Sequence, residues 1–200
     1  MTNVCRKIIK TKFIFNFLIY ILLDVLLAIK IRFTTLDFML KIRIATPDDL
    51  DHLWELFNGI IEEKIYYPYT PGTPRSQLEK TWINAANISY IALYDGQVAG
   101  AYILRPNQEG YGNHIANGAY MVSPSYRNLG IGKKLALHSL VVAREAGYKG
   151  MQYNLVVSTN KAAVKLWQDI GFEIIATVPG GFKHYIKGYV DAYIMFQKLV

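Results

Sequence analysis

The apolar positions of this chain change period several times after Met39, and each change marks an element. Ile42 and Ile44 alternate with Lys41 and Arg43, as a first strand should. In Thr46-Pro47-Asp48-Asp49, threonine is placed to cap a helix, proline to occupy its first position and the aspartates to sit in its positive first turn. Leu50, Leu53, Trp54 and Phe57 then recur at helical spacing. A proline- and tyrosine-rich loop over 64–74 separates this helix from a second, predicted over 76–86 with Leu78 and Trp82 inward. Strand patterns follow at 88–94 and 97–104, joined by Asp95-Gly96, a strong hairpin turn. A loop at 106–113 precedes a strand at 115–122. A long helical pattern starts near Ile131, with His138 on the apolar arc of Ile131, Leu135, Leu137, Val141 and Val142, and Gly147 can end it. A strand at 151–157, a helix at 161–169 stopped by Gly171, a strand at 172–178, a glycine-rich loop at 179–184 and a closing strand at 190–197 complete the order. Antiparallel runs with a few strand–helix crossings predict an α+β fold around one central sheet.

Between the strand at 115–122 and the long helix lies Tyr126-Arg127-Asn128-Leu129-Gly130-Ile131-Gly132-Lys133-Lys134. A helix N-terminus carries N–H groups without partners and a dipole that favours an anion. Glycines at 130 and 132 let backbone approach that anion, and Arg127, Lys133 and Lys134 add positive charge. The pattern G-x-x-x-x-G-K-[ST] is absent, so this is not a P-loop. It is not a dinucleotide fingerprint either, because Leu135 stands where a third small residue belongs and antiparallel hairpins come first. The helix N-terminus, its glycines and the basic residues around it look like a pyrophosphate cradle.

Composition narrows the function classes. The chain has 200 residues, 52% hydrophobic, with fifteen tyrosines. One cysteine, Cys5, excludes an internal disulfide and a thiolate cluster, which suits a reducing, cytoplasmic setting. The four histidines show no metal-ligand spacing, so no metal is expected. Of 22 basic and 15 acidic residues, positions 1–40 hold Arg6, Lys7, Lys10, Lys12, Lys30 and Arg32 against Asp24 and Asp37. The rest of the chain is therefore only mildly basic, with its densest cluster on the glycine stretch, and nucleic acid is not needed to explain the charge.

Residues 1–38 form an apolar, basic-flanked extension. Residues 13–29 are nearly all apolar but contain Asn16 and Asp24, and 17 residues is the short edge of a bilayer span. A signal peptide fits poorly, since no small-x-small cleavage site follows. Three readings stay open: a membrane anchor, an amphiphilic helix packed on the domain or a partner, and upstream sequence outside a functional unit starting at Met39. A membrane partner is expected only through this segment, and a homodimer is left open.

The spacing R-x-x-G-x-G after a strand and before an amphipathic helix resembles the coenzyme A signature of the GNAT superfamily of N-acetyltransferases. Val122 to Gly132 is similar to that family's strand-to-cofactor passage, and Asn160 to Phe172 resembles its later helix with the Gly-Phe ending. One helix and one strand separate the two, as the family requires. The opening elements agree too, so the resemblance covers 41–199 and implies a single GNAT-type domain over 39–200.

On these positions the resemblance implies acetyl-CoA as co-substrate. The amides of Arg127, Asn128, Leu129, Gly130, Ile131, Gly132 and Lys133 would hold its pyrophosphate. Met121 and Val122 would pair with the pantetheine arm, an N–H near Val122 would polarise the thioester carbonyl, and Asn160 would bond the pantetheine. Many members carry a tyrosine seven residues after that asparagine to protonate the leaving thiolate; here Trp167 stands there, with no acidic proton to give. Tyr153 and Tyr185 are the alternatives. Asn-Leu-Val-x-x-Thr-Asn at 154–160, Val178-Pro179-Gly180 and Tyr189-Val190-Asp191-Ala192 resemble a subgroup acting on proline analogues such as L-azetidine-2-carboxylate. In that subgroup asparagines matching Asn117 and Asn154 belong to the substrate pocket. Glu109 and His114, in the loop before the fourth strand, are the candidates for general base. The expected activity is direct transfer of acetyl to a small-molecule amine. Acetylation of a protein or peptide, and a non-catalytic coenzyme A-binding or membrane-tethered domain, remain as alternatives.

Overall fold

The computed structural model describes residues 39–84 and 87–200; residues 13–29, with the three readings attached to them, lie outside this range. Seven strands form one mixed sheet: β1 (Leu40–Ile44), β2 (Ile88–Tyr94), β3 (Gln97–Pro106), β4 (Ile115–Val122), β5 (Gly150–Val157), β6 (Glu173–His184) and β7 (Gly188–Lys198). Their order is β1-β2-β3-β4-β5-β7-β6. Every neighbouring pair is antiparallel except β4 with β5. Among the described residues four α-helices flank the sheet: α1 (Leu50–Ile61), α2 (Arg75–Trp82), α3 (Ile131–Glu145) and α4 (Lys161–Asp169).

One face of β2–β4 carries the main core. Leu53, Phe57, Ile60 and Ile61 of α1 pack with Leu78 and Trp82 of α2 on Ile91, Ala101, Ile103 and Met121. The α1 entrance is held by Asp49, whose buried carboxylate accepts from both terminal nitrogens of Arg43 at 2.7 and 2.8 Å and from the Thr46 N–H and hydroxyl. The Arg43 hydrogen bonds, opposed by burial and helped by Thr46, hold this carboxyl down to about 2. Asp49 is thus a structural tie between β1 and α1 rather than only a dipole residue. Helix α2 ends at Trp82, short of the expected 86, because the Asn84 and Asn87 side-chain amides donate to the Lys80 and Thr81 carbonyls and close its last turn.

The opposite face carries α3 and α4. On α3 the buried residues are Ile131, Leu135, Ala136, Ser139, Leu140 and Ala143, whereas Leu137 and Val141 of the expected apolar arc point to solvent. His138 sits half-buried at the edge of that face, its Nδ1 2.7 Å from the Tyr102 hydroxyl. The glycine-rich loop expected at 179–184 is instead part of one long strand. The β6–β7 register shifts between Val178 and Phe182, with Gly180 at φ +61° and its N–H donating to the Asp191 carboxylate. Pro179 and the two glycines therefore make a bulge in an edge strand, where a missing N–H and a left-handed residue are both tolerated.

Candidate active site

Strands β4 and β5 pair only at their starts, Ile115 with Gly150 through Asn117 with Gln152. Beyond these residues they diverge, and β5 slips its register on β7 between Tyr153 and Val156. The divergence opens a cavity of about 310 Å³, within the size range of ligand sites. Side chains alternate across a sheet, so the cavity has two walls. Toward α3 and α4 it is lined by Gly118, Tyr120, Tyr153, Asn160, Ala163 and Trp167. Toward α1 and α2 it is lined by Arg105, Asn117, Asn154 and the Tyr66–Tyr69 stretch.

The glycine stretch follows β4 directly. Asn128 and Gly130 adopt left-handed backbone (φ +62° and +84°), which winds the chain into the first turn of α3. The Lys134 N–H donates to the Gly130 carbonyl, so intrahelical bonding starts there and the N–H groups of Ile131, Gly132 and Lys133 precede it. A Cβ on Gly132 would lie 3.7 Å from Val122 and 3.9 Å from Leu166, ordinary contacts. The fold itself does not require glycine here; an approaching anion would. The Arg127 guanidinium does not join this turn. It makes a two-point pair with Glu63 just past α1 (Nη1 to Oε2, 3.0 Å) and lies 6.0 Å from the Tyr66 ring centroid, which ties the turn to the aromatic loop.

Asn160 caps α4, its Oδ1 accepting from the Ala163 N–H at 3.1 Å, while its amide group lines the cavity. Trp167 fills its position with packing: its ring lies 4.8 Å from Tyr120 and 4.7 Å from Tyr153. The Tyr120 hydroxyl is 2.6 Å from Ser139 Oγ and 2.9 Å from the Tyr153 hydroxyl. Burial pushes Tyr120 up to about 12 against the lowering by those two hydrogen bonds. Burial, the Tyr120 charge and its hydrogen bond push Tyr153 well above the ordinary phenol range. Tyr153 is thereby a weak acid, and Tyr185 is an exposed residue of the β6–β7 turn.

Asn117 and Asn154 are brought together by a residue that the sequence did not single out. Asn107 Oδ1 accepts from Asn154 Nδ2 at 2.7 Å and from Asn117 Nδ2 at 3.1 Å. The second Asn117 proton goes to the Gln152 carbonyl at 3.0 Å. That carbonyl can only accept, so it fixes the amide's orientation and leaves Asn117 Oδ1 as an acceptor. Glu109 and His114 lie elsewhere. Both are exposed in the β3–β4 loop, outside the cavity lining, and His114 Nδ1 sits 3.1 Å from the Tyr111 carbonyl. Met121 points into the main core and Val122 packs at the glycine turn.

This geometry agrees with what the chain is similar to. Residues 50–172 match the model of the acetyltransferase (GNAT) family, and the chain belongs to that family. A GCN5-related N-acetyltransferase from Kribbella flavida superposes with a TM-score of 0.77 at 32% identity, over 80% of this chain and 98% of that one. The protein yncA from Salmonella typhimurium, solved with its cofactor acetyl-CoA, shares the fold with a TM-score of 0.70 at 18% identity, over 80% and 94% of the two chains. N-acetyltransferase aca1 of Schizosaccharomyces pombe is 41% identical over 97 residues, 48% of this chain and 46% of that protein's length. Among the described residues no helix is long and apolar enough to cross a membrane.

Proposed function

We propose that residues 39–200 transfer an acetyl group from acetyl-CoA to the amine of a small molecule, with amino acids and proline analogues among the acceptors. The observation that carries this reading is the cavity at the β4–β5 divergence, with a glycine-built helix N-terminus on one side of the sheet and a polar pocket on the other. The N–H groups ahead of Lys134 and the free amide protons of Asn160 suit a pyrophosphate and its pantetheine arm. Acetyl-CoA supplies an activated acyl group. A bond forms between the amine nitrogen and the acetyl carbon, the carbon–sulfur bond breaks, the sulfur leaves with the electron pair, and the nitrogen releases one proton to water. The aromatic Tyr66–Tyr69 stretch in the cavity wall supports a small acceptor over a peptide. Acetyl-CoA is expected to raise the melting temperature, and Gly130→Glu to abolish the rise; no shift at millimolar acetyl-CoA overturns the reading. A thiol-release screen over amines then identifies the acceptor.

A further inference from the structure

The loop between α1 and α2 is held at two levels. Tyr66 to Tyr69 line the cavity on its acceptor side, and the Tyr67 and Tyr69 rings meet Phe57 of α1 edge-on at 6.1 and 5.2 Å. Just ahead of them the chain passes through Lys64, which holds left-handed backbone at φ +58°. A lysine keeps that conformation only where its surroundings favour it. Here two ties flank it, and both reach elements far along the chain. The Lys64 carbonyl accepts from the Tyr185 N–H at 3.2 Å, and the Lys64 ammonium lies 5.1 Å from the Tyr185 ring centroid. One residue earlier, the Glu63 carboxylate accepts from both terminal nitrogens of Arg127, one of them at 3.0 Å.

The second tie ends in the glycine stretch. Arg127 lies ahead of α3, and left-handed Asn128 follows it directly. Its guanidinium is engaged by Glu63 and by the Tyr66 ring, 6.0 Å from the centroid. The cation that the sequence offers to an anion at this turn is therefore already matched by a carboxylate. A two-point fork fixes direction as well as distance. The pair is also part-buried, so salt screens it less than a pair at the surface. A shift in the backbone of the turn is passed to Glu63, and with it to the chain that carries Tyr66 three residues on.

We propose that Glu63 is a positioning residue: through Arg127 it holds the Tyr66–Tyr69 wall to the glycine turn, so that coenzyme A bound at the turn orders the acceptor end of the cavity. A ligand on the N–H groups of the turn fixes its backbone. The ion pair carries that order to residues 64–69, and an amine then meets a wall already set. By linkage, the amine strengthens coenzyme A binding by the same factor. The proposal rests on the reading of the turn as the donor site and adds how that site acts on the acceptor side.

Backbone hydrogen exchange of the full chain, with and without saturating coenzyme A, reads both ends in one measurement. In wild type, coenzyme A is expected to slow exchange over 128–134 and, about 10-fold, over 64–69. Glu63→Gln is expected to keep the first slowing and lose the second. Its coenzyme A affinity by calorimetry should be unchanged or tighter, since the change frees a guanidinium beside the turn. Arg127→Lys keeps the charge without the fork and is expected to lose most of the loop's response. Tyr185→Ala removes the ring over Lys64 and is expected to leave that response in place, which separates positioning from a general loosening of the loop. Slowing over 128–134 alone in wild type overturns the proposal without any variant. A loop response that survives Glu63→Gln, or that Tyr185→Ala abolishes equally, overturns it too. No slowing over 128–134 overturns the donor reading itself, and the proposal with it.

Discussion

The two ends of the cleft are built by different means. The end proposed for the donor is made of main chain: left-handed residues at 128 and 130, the first turn of α3, and a glycine whose missing side chain leaves room for a ligand. The end proposed for the acceptor is made of side chains from separate segments: Tyr67 from the α1–α2 loop, Arg105 and Asn107 from the end of β3, Asn117 from β4, and Asn154 from β5. Backbone amides recognise a phosphate whatever side chains surround them, so the first end suits a ligand shared across a family. Side chains can change one at a time, so the second suits an acceptor that differs between members.

The sharpest way to break this contrast is Gly132→Asp. The new Cβ meets only ordinary contacts, and a carboxylate in the first turn of a helix is favourable by ~0.3–1 kcal/mol, so stability is expected to hold or rise. The same carboxylate repels a pyrophosphate and fills its approach. Acetyl-CoA affinity is expected to fall at least ~100-fold, about 2.7 kcal/mol, by calorimetric titration. A variant that melts normally and still binds acetyl-CoA tightly would show that the donor end is not this turn.

The next effect belongs to the other end. Asn107→Ala removes the shared acceptor of Asn117 and Asn154 and frees both amides to turn. The amine KM is expected to rise ~10-fold with acetyl-CoA affinity unchanged. Equal losses for both substrates would mean that the ends are not separable.

The same difference explains what could be read before folding. The donor turn is local: Arg127 to Lys133 and the Asn160 cap are contiguous stretches whose glycine, cap and period signals sit side by side. Even there, the Arg127 guanidinium left the turn for Glu63, a partner 64 residues away in sequence. The acceptor end has no local signal. Arg105 faces Asn117 only through the β3–β4 register, and Tyr67 lines the same cavity only because its loop packs against the core that α1 makes on that face. Of this group Asn117 and Asn154 alone came from resemblance; Asn107, which holds them, did not. Pro179-Gly180-Gly181 misled for a related reason. Its composition is that of a loop, but pairing with β7 turns it into a bulge. On α3, Leu137 and Val141 were placed inward by hydropathy, while the sheet instead meets the face centred on Ala136 and Leu140.

A smaller effect tests where the two ends meet. Tyr120 lies on β4 at the divergence and bonds Ser139 of α3 and Tyr153 of β5. Tyr120→Phe leaves the ring packed at a tilt against Trp167 but strips a buried hydroxyl pair of one member, and is expected to cost about 1–2 kcal/mol in urea unfolding. Both substrates should feel it, each by less than ~10-fold, because α3 and β5 loosen together.

The mildest test asks whether α3, which carries the donor turn, is held on the sheet by a group that titrates. Burial lowers the His138 pKa, with Glu145 opposing, so the neutral ring is favoured in the folded state. Its Nδ1 faces the Tyr102 hydroxyl at 2.7 Å, and the neutral ring accepts that proton. A lowered pKa means that the unfolded chain binds the proton more readily. This contribution to stability is therefore complete above the ordinary histidine value, ~6.5, and is lost as pH falls toward the lower folded value, below which it no longer changes. His138→Gln keeps an acceptor at that position and removes the titration, so the slope of unfolding free energy just below the ordinary histidine value, ~6.5, should flatten relative to wild type. Asp49 does not interfere in this window, since its carboxyl titrates near 2. If acetyl-CoA affinity follows the same slope while the amine KM does not, the tie between α3 and the sheet serves the donor end alone. If both follow it, the cleft responds to α3 as one body and the division between its ends is only in how they are built.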